Sequence, residues 1–166
     1  MKKFQMNLAK NLRLIGLTIL AGTMTLTYSG CKKEGCTDTD ANNYNEEADE
    51  DDGTCTYDSE KFIGVYTSTS PCVAGGSWNT TISASSSSKK KVVVTNIGGL
   101  GSSATATADI DGSTIKINSQ SVIDSDGDSW TVSSTSGTLS GTSINLTITY
   151  TFGVSNLTCS ETWNKQ

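Results

Sequence analysis

The chain has no histidine, a single proline and no Cys-x-x-Cys pair in its 166 residues. Without histidine the usual near-neutral general base is missing, which argues against acid–base catalysis at physiological pH. Lacking both histidine and paired cysteines, it has no zinc-finger ligand set either. Positive charge is scarce: no basic residue lies between Lys33 and Lys61, and the formal net charge is −5. Nucleic acid is thereby excluded as a target, since phosphate binding demands a basic surface.

What is present begins with Lys2, Lys3, Lys10 and Arg13, followed by an uncharged apolar run from Leu14 to Tyr28. That run falls short of the roughly 20 apolar residues that span a bilayer, so residues 1–30 read as a secretory signal peptide. Its end, Tyr28-Ser29-Gly30-Cys31, resembles the lipobox of bacterial lipoproteins. The resemblance implies that Cys31 is acylated and becomes the mature N-terminus, with the lipid bilayer as partner. Several acyl chains on one residue would anchor a soluble domain stably. Lys32-Lys33-Glu34 is similar to the short charged signal that sends such lipoproteins to the cell surface, which gives an outer-membrane or cell-surface location. Removing the four signal-peptide cations leaves a mature chain of −9. Direct adhesion to an anionic membrane is disfavoured at that charge, so attachment would come from the lipid.

Five cysteines are present. If Cys31 carries lipid, Cys36, Cys55, Cys72 and Cys159 remain, and four cysteines allow three pairings. The preferred set is Cys36 with Cys55, closing a compact loop of uniform composition, and Cys72 with Cys159 inside the following domain. Sequence alone does not choose among the three.

Residues 31–58 form an acidic module. Asp38, Asp40, Glu46, Glu47, Asp49, Glu50, Asp51 and Asp52 crowd the loop between its cysteines. Gly35-Cys36-Thr37-Asp38, Asn43-Tyr44-Asn45 and Asp51-Asp52-Gly53-Thr54-Cys55 resemble a short module of Bacteroidetes extracellular proteins. Eight carboxylates in so short a loop are either screened by salt or gathered around a cation. Hard oxygen ligands make calcium the candidate cofactor, with Asp38, Asn43, Asn45, Asp51 and Asp52 as candidate ligands. The competing reading is a disulfide-stapled acidic spacer in which Asn and Asp serve as turn formers.

From residue 59 to 166 the chain is rich in Ser, Thr, Val, Ile and Gly, and apolar residues recur at period two. Eight strands are expected, near 61–69, 77–85, 90–97, 103–110, 113–123, 129–139, 142–152 and 156–164. Short turns such as Asp111-Gly112 and Asp126-Gly127-Asp128 join successive strands, which makes them antiparallel neighbours. An eight-strand meander avoids exposed edges most simply by closing, so the expected fold is all-β, an antiparallel up-and-down barrel. Closure also brings Cys72, after the first strand, beside Cys159 in the eighth. The opening Lys61-Phe62-Ile63-Gly64-Val65-Tyr66 resembles the first strand of lipocalin-like domains, in which an aromatic residue plugs one end.

That resemblance implies a monomeric binder of a small apolar or amphipathic molecule. The candidate ligand-contacting residues are Tyr66, Trp78, Ala106, Trp130, Leu146, Ile148 and Tyr150. The tryptophans suit core or barrel-end packing equally well. The alternative is a structural or protein-interaction module of the envelope with a filled barrel. A catalytic reading would need Glu161 paired with Asp109 or Asp111, and the chain is expected not to be an enzyme.

Overall fold

The computed structural model describes residues 32–72 and 76–166, and residues 34–166 form one compact unit. Cys31 and residues 1–30, read from the sequence as a signal peptide, lie outside the described residues. Among the described residues there is no α-helix, only two 3₁₀ turns at Asp58–Phe62 and Ile97–Gly99.

In the acidic module β1 (Glu34–Gly35) pairs in parallel with β2 (Glu50–Asp51), and the Cys36–Cys55 bond closes the loop between them. The barrel comprises β3 (Gly64–Thr69), β4 (Ser77–Ala84), β5 (Lys91–Thr95), β6 (Thr105–Asp111), β7 (Thr114–Lys116), β8 (Gln120–Ile123), β9 (Ser129–Ser134), β10 (Gly137–Ser140), β11 (Ser143–Phe152) and β12 (Ser155–Lys165). Antiparallel pairing runs β3–β4–β5–β6–β7–β10–β11–β12 and returns to β3. The ring of eight is therefore closed, as the meander and the cysteine placement require. Its seam matches Thr162 with Thr69 and Lys165 with Tyr66. The Cys72–Cys159 bond staples that seam, and closing a loop of 87 residues is worth about 4.5 kcal/mol in the chain-entropy view.

The fifth and sixth expected strands are each interrupted once. β8 continues the line of β7, and β9 precedes β10 along the same wall, so β11 pairs with β10 over its first residues and with β9 over its last. Where β8 leaves the ladder, the Gln120 side chain takes over its role beside β6. Its Oε1 accepts the Thr107 N–H at 2.8 Å and its Nε2 donates to the Thr107 carbonyl at 2.7 Å. One side-chain amide thus satisfies both polar groups of a strand peptide.

Strand parity fills the interior. Ala104, Ala106, Ala108 and Ile110 point inward along β6, as do Ile144, Leu146, Ile148 and Tyr150 along β11, and Cys159, Glu161 and Trp163 along β12. Phe62 and Tyr66 close one end, where the Tyr66 hydroxyl donates to the Phe62 carbonyl at 2.7 Å. An enclosed cavity of ligand size would leave accessible surface on its walls, yet Phe62, Tyr66, Val92, Val94, Ile148 and Trp163 keep none. Small alanines on one wall are complemented by large aromatics in the same core cluster.

The module packs on this closed end. Lys90 pairs with Asp40 at 2.9 Å, Asn42 donates to Asp58 at 3.0 Å, and the Lys89 ammonium lies 5.4 Å from the centre of the Tyr57 ring.

Replacing Gln120 by Ala leaves the Thr107 N–H and carbonyl without partners in a part-buried wall. Stability should drop by about 1–3 kcal/mol, read from urea unfolding of the purified protein. An unchanged midpoint would mean that solvent already satisfies this stretch of β6.

Candidate binding site at the open end of the barrel

The loops opposite the module build the site. Asn96, in the left-handed conformation at φ 59°, starts the crossing loop and ties it down, donating to the Asn79 carbonyl and accepting from the Gly101 N–H. Gly98 follows at φ 62°, and a Cβ there would stand 2.5 Å from the Tyr150 hydroxyl oxygen. Glycine is required both by that dihedral and by the contact. From the opposite side, the Asp124–Asp128 hairpin turn meets this loop, with the Ser125 N–H on the Leu100 carbonyl at 3.0 Å.

Between them lies an apolar cup of about 150 Å³. Leu100, Trp130, Leu157 and the exposed Cys72 form its upper walls together with Gly98, while Cys159, Ser70, Tyr150 and Glu161 are buried deeper. Trp130 is fixed on two sides: its Nε1–H donates to Asp124 at 2.8 Å, and its ring centre lies 4.7 Å from that of Phe152. The Trp130 hydrogen bond, then the backbone N–H groups of Asp126 and Asp128, hold the Asp124 carboxyl below the usual carboxylate range. Around the mouth Ile123, Phe152, Val154 and Leu157 are exposed.

Beneath the cup the interior turns polar. Ser68 donates to Thr80 at 2.7 Å, and both are buried along with Ser70 and Glu161. Glu161, 3% exposed, is bracketed by two donors: the Tyr150 hydroxyl reaches Oε1 at 2.5 Å and the Trp163 indole N–H reaches Oε2 at 2.8 Å. Burial raises its pKa above the usual carboxylate value, and the two hydrogen bonds offset part of that rise. Burial together with the adjacent carboxylate pushes the Tyr150 hydroxyl well above its ordinary range.

Of the residues singled out for a ligand, Trp130 and Tyr150 come together here. Tyr66, Ala106, Leu146 and Ile148 belong to the packed core, with Tyr66 at the far end. Trp78 rests against Gly99, and its Nε1–H is buried without a hydrogen-bond acceptor. The sequence offers Glu161 only as half of a carboxylate pair with Asp109 or Asp111, and the fold does not assemble that pair. Asp109 faces outward to Lys91 and Asn118, and Asp111 is exposed beyond it. The signal that places Glu161 inside is its shared parity with Cys159 and Trp163.

In the module the five candidate calcium ligands turn to nearby groups. Asp38 Oδ1, Asn45 Oδ1, Asp51 Oδ1 and Asp52 Oδ1 each accept a backbone N–H two residues on, and Asn43 bridges to the Thr54 carbonyl and the Thr56 N–H. Asp38 Oδ2 also accepts from the Tyr57 hydroxyl at 2.6 Å, a bond that lowers the carboxyl and pushes the phenol up to about 12. These are the contacts of turn formers. Among the described residues no group of three or more acidic or cysteine side chains converges on a common point.

Compared with protein-family models and with curated protein sequences, the chain matches none.

Because Glu161 takes up a proton more readily folded than unfolded, its contribution to stability is present below about pH 4.5 and is lost as pH rises through the folded value. Glu161→Gln is neutral at every pH: its amide oxygen can still accept from the Trp163 indole, and its NH2 can donate to the Tyr150 hydroxyl, which turns from donor to acceptor. The variant should therefore match the parent in acid and exceed it at neutral pH. Asp38, Asp52, Asp58 and Asp124, all lowered, lose their contributions on acidification in both proteins and cancel in the comparison. Denaturant midpoints of the two proteins across a pH series give the answer, and a pH-independent gap between them would refute the assignment.

Proposed function

We propose that the chain is a non-catalytic, lipid-anchored protein of the cell envelope. It holds a packed barrel on an acidic module and binds a small amphipathic molecule at the barrel's open end. The observation that carries this reading is the apolar cup of about 150 Å³ beside Trp130 and Tyr150, set over a buried polar layer. A cavity of that size with aliphatic and aromatic walls suits a body of about one ring, well below the 300–1,000 Å³ of sites that swallow a drug-sized ligand. The ligand site thus moves from the barrel interior, where the lipocalin-like resemblance put it, to the mouth.

The lipid anchor rests on Tyr28-Ser29-Gly30-Cys31. In this reading the module is a spacer first, and calcium, if bound, would have to displace the turn contacts of Asp38, Asn43, Asn45, Asp51 and Asp52. A second reading, docking to a protein partner, draws on the exposed Phe152, Val154 and Leu157 at the rim.

Two measurements bear on the proposal. Cys31→Ser should move the protein from the membrane to the soluble fraction, and persistent membrane attachment would remove the anchor. Titrating the purified protein with benzyl alcohol should shift the indole N–H resonances of Trp130 and Trp163 and leave backbone signals of the Cys36–Cys55 loop still. Shifts confined to other regions would reject the cup as the ligand site.

A further inference from the structure

We propose that the molecule taken up at the open end is a small organic cation, a primary ammonium carried on an apolar body of about one ring, with Glu161 as its anionic partner. This rests on reading the cup as a ligand site and names the chemistry of what fills it.

The first support is the set of groups that surround the carboxyl on the floor. An indole N–H only donates, so Glu161 Oε2 must accept from Trp163, and the Tyr150 hydroxyl supplies a donor to Oε1. This arrangement receives an ionised carboxylate, yet both donors are neutral. Among the described residues no lysine forms an ion pair with Glu161; Lys61, Lys90 and Lys91 pair with Asp58, Asp40 and Asp109 instead. A buried carboxylate without a countercharge costs stability, and a cation arriving beside it relieves that cost. A purely structural partner for Tyr150 and Trp163 would need no charge: a glutamine could accept from the Trp163 indole through its oxygen and donate to the Tyr150 hydroxyl through its NH2.

The second support is how charge is distributed along the barrel. Lys61, Lys89, Lys90, Lys91, Lys116 and Lys165 all lie in the turns and strand ends on the module side. Among the described residues the loops at the mouth carry only Asp124, Asp126 and Asp128 as charged residues. A cation approaching the cup meets one sign of charge, while a carboxylate or phosphate would be repelled by the turn and by the floor.

The walls decide between an organic and an inorganic cation. Calcium or magnesium requires several hard oxygens at once, whereas the cup offers one carboxyl among apolar and aromatic groups. An alkyl or aryl body fits those walls, and aromatic side chains such as Trp130 and Tyr150 suit an ammonium that is losing its water. A fully neutral ligand would fill the walls and leave the buried charge unanswered.

The test uses matched probes of one size on the purified protein: benzylammonium, benzyl alcohol and benzoate, followed through the Trp163 and Trp130 indole N–H resonances. Benzylammonium should bind at least about tenfold tighter than benzyl alcohol, the smallest ratio expected of a buried charge pair, with benzoate the weakest. In Glu161→Gln the preference should vanish while benzyl alcohol binding persists. Glu161→Asp, which keeps the charge on a shorter stem, should retain part of it. Equal binding of benzylammonium and benzyl alcohol, or tighter binding of benzoate, would overturn the cation assignment and leave the apolar site standing. Failure of all three probes to shift either indole would overturn the cup itself, and the cation proposal with it.

Discussion

The ladder between β12 and β3 is the constraint on which the rest depends. It joins the last strand to the first, and without it the sheet would end in two unpaired edges. Closure turns period-two alternation into an inside and an outside. It gives Trp163, Tyr66 and Phe62 a common core, and it brings Cys72 within bonding distance of Cys159. The cup exists because the same seam sets Cys159 and Glu161 opposite the crossing loop at Gly98.

The two ends of the barrel are finished by different physics. At the module end, aromatic side chains and a carbonyl-bound tyrosine fill the opening, and two neighbouring lysines hold the acidic module, Lys89 over Tyr57 and Lys90 on Asp40, while Lys91 pairs with Asp109 within the barrel wall. At the other end, glycine-rich backbone folds over the opening and leaves room. Buried polar groups of the barrel interior gather under that room, which is where a protein that needed only stability would not put them.

Most of the architecture was legible because strand alternation, turn residues and cysteine placement all point to one closed meander. Ile144, Leu146, Ile148 and Tyr150 announce an inward face on their own. The breaks in the fifth and sixth strands were not legible. Their signal is a glutamine acting as a peptide group, and nothing in Ser119-Gln120-Ser121 marks that use. The cup was half legible: Trp130 and Tyr150 stood out as aromatics, whereas the floor needed strand parity applied to one acidic residue in a polar-looking strand. The filling of the interior was not legible either, because the alanines of β6 show the size of one wall and not what packs across from it.

The order in which the cysteines pair has a consequence for how the chain matures. Cys36 joins Cys55 and Cys72 joins Cys159, so each thiol meets its native partner next in line as the polypeptide emerges N-terminus first. Oxidation can proceed in that sequence without any bond having to be broken and remade. The one thiol that would disturb this order is Cys31, five positions ahead of Cys36. An acyl group on its sulfur would do more than tether the protein; it would also remove the first competitor from the oxidation line.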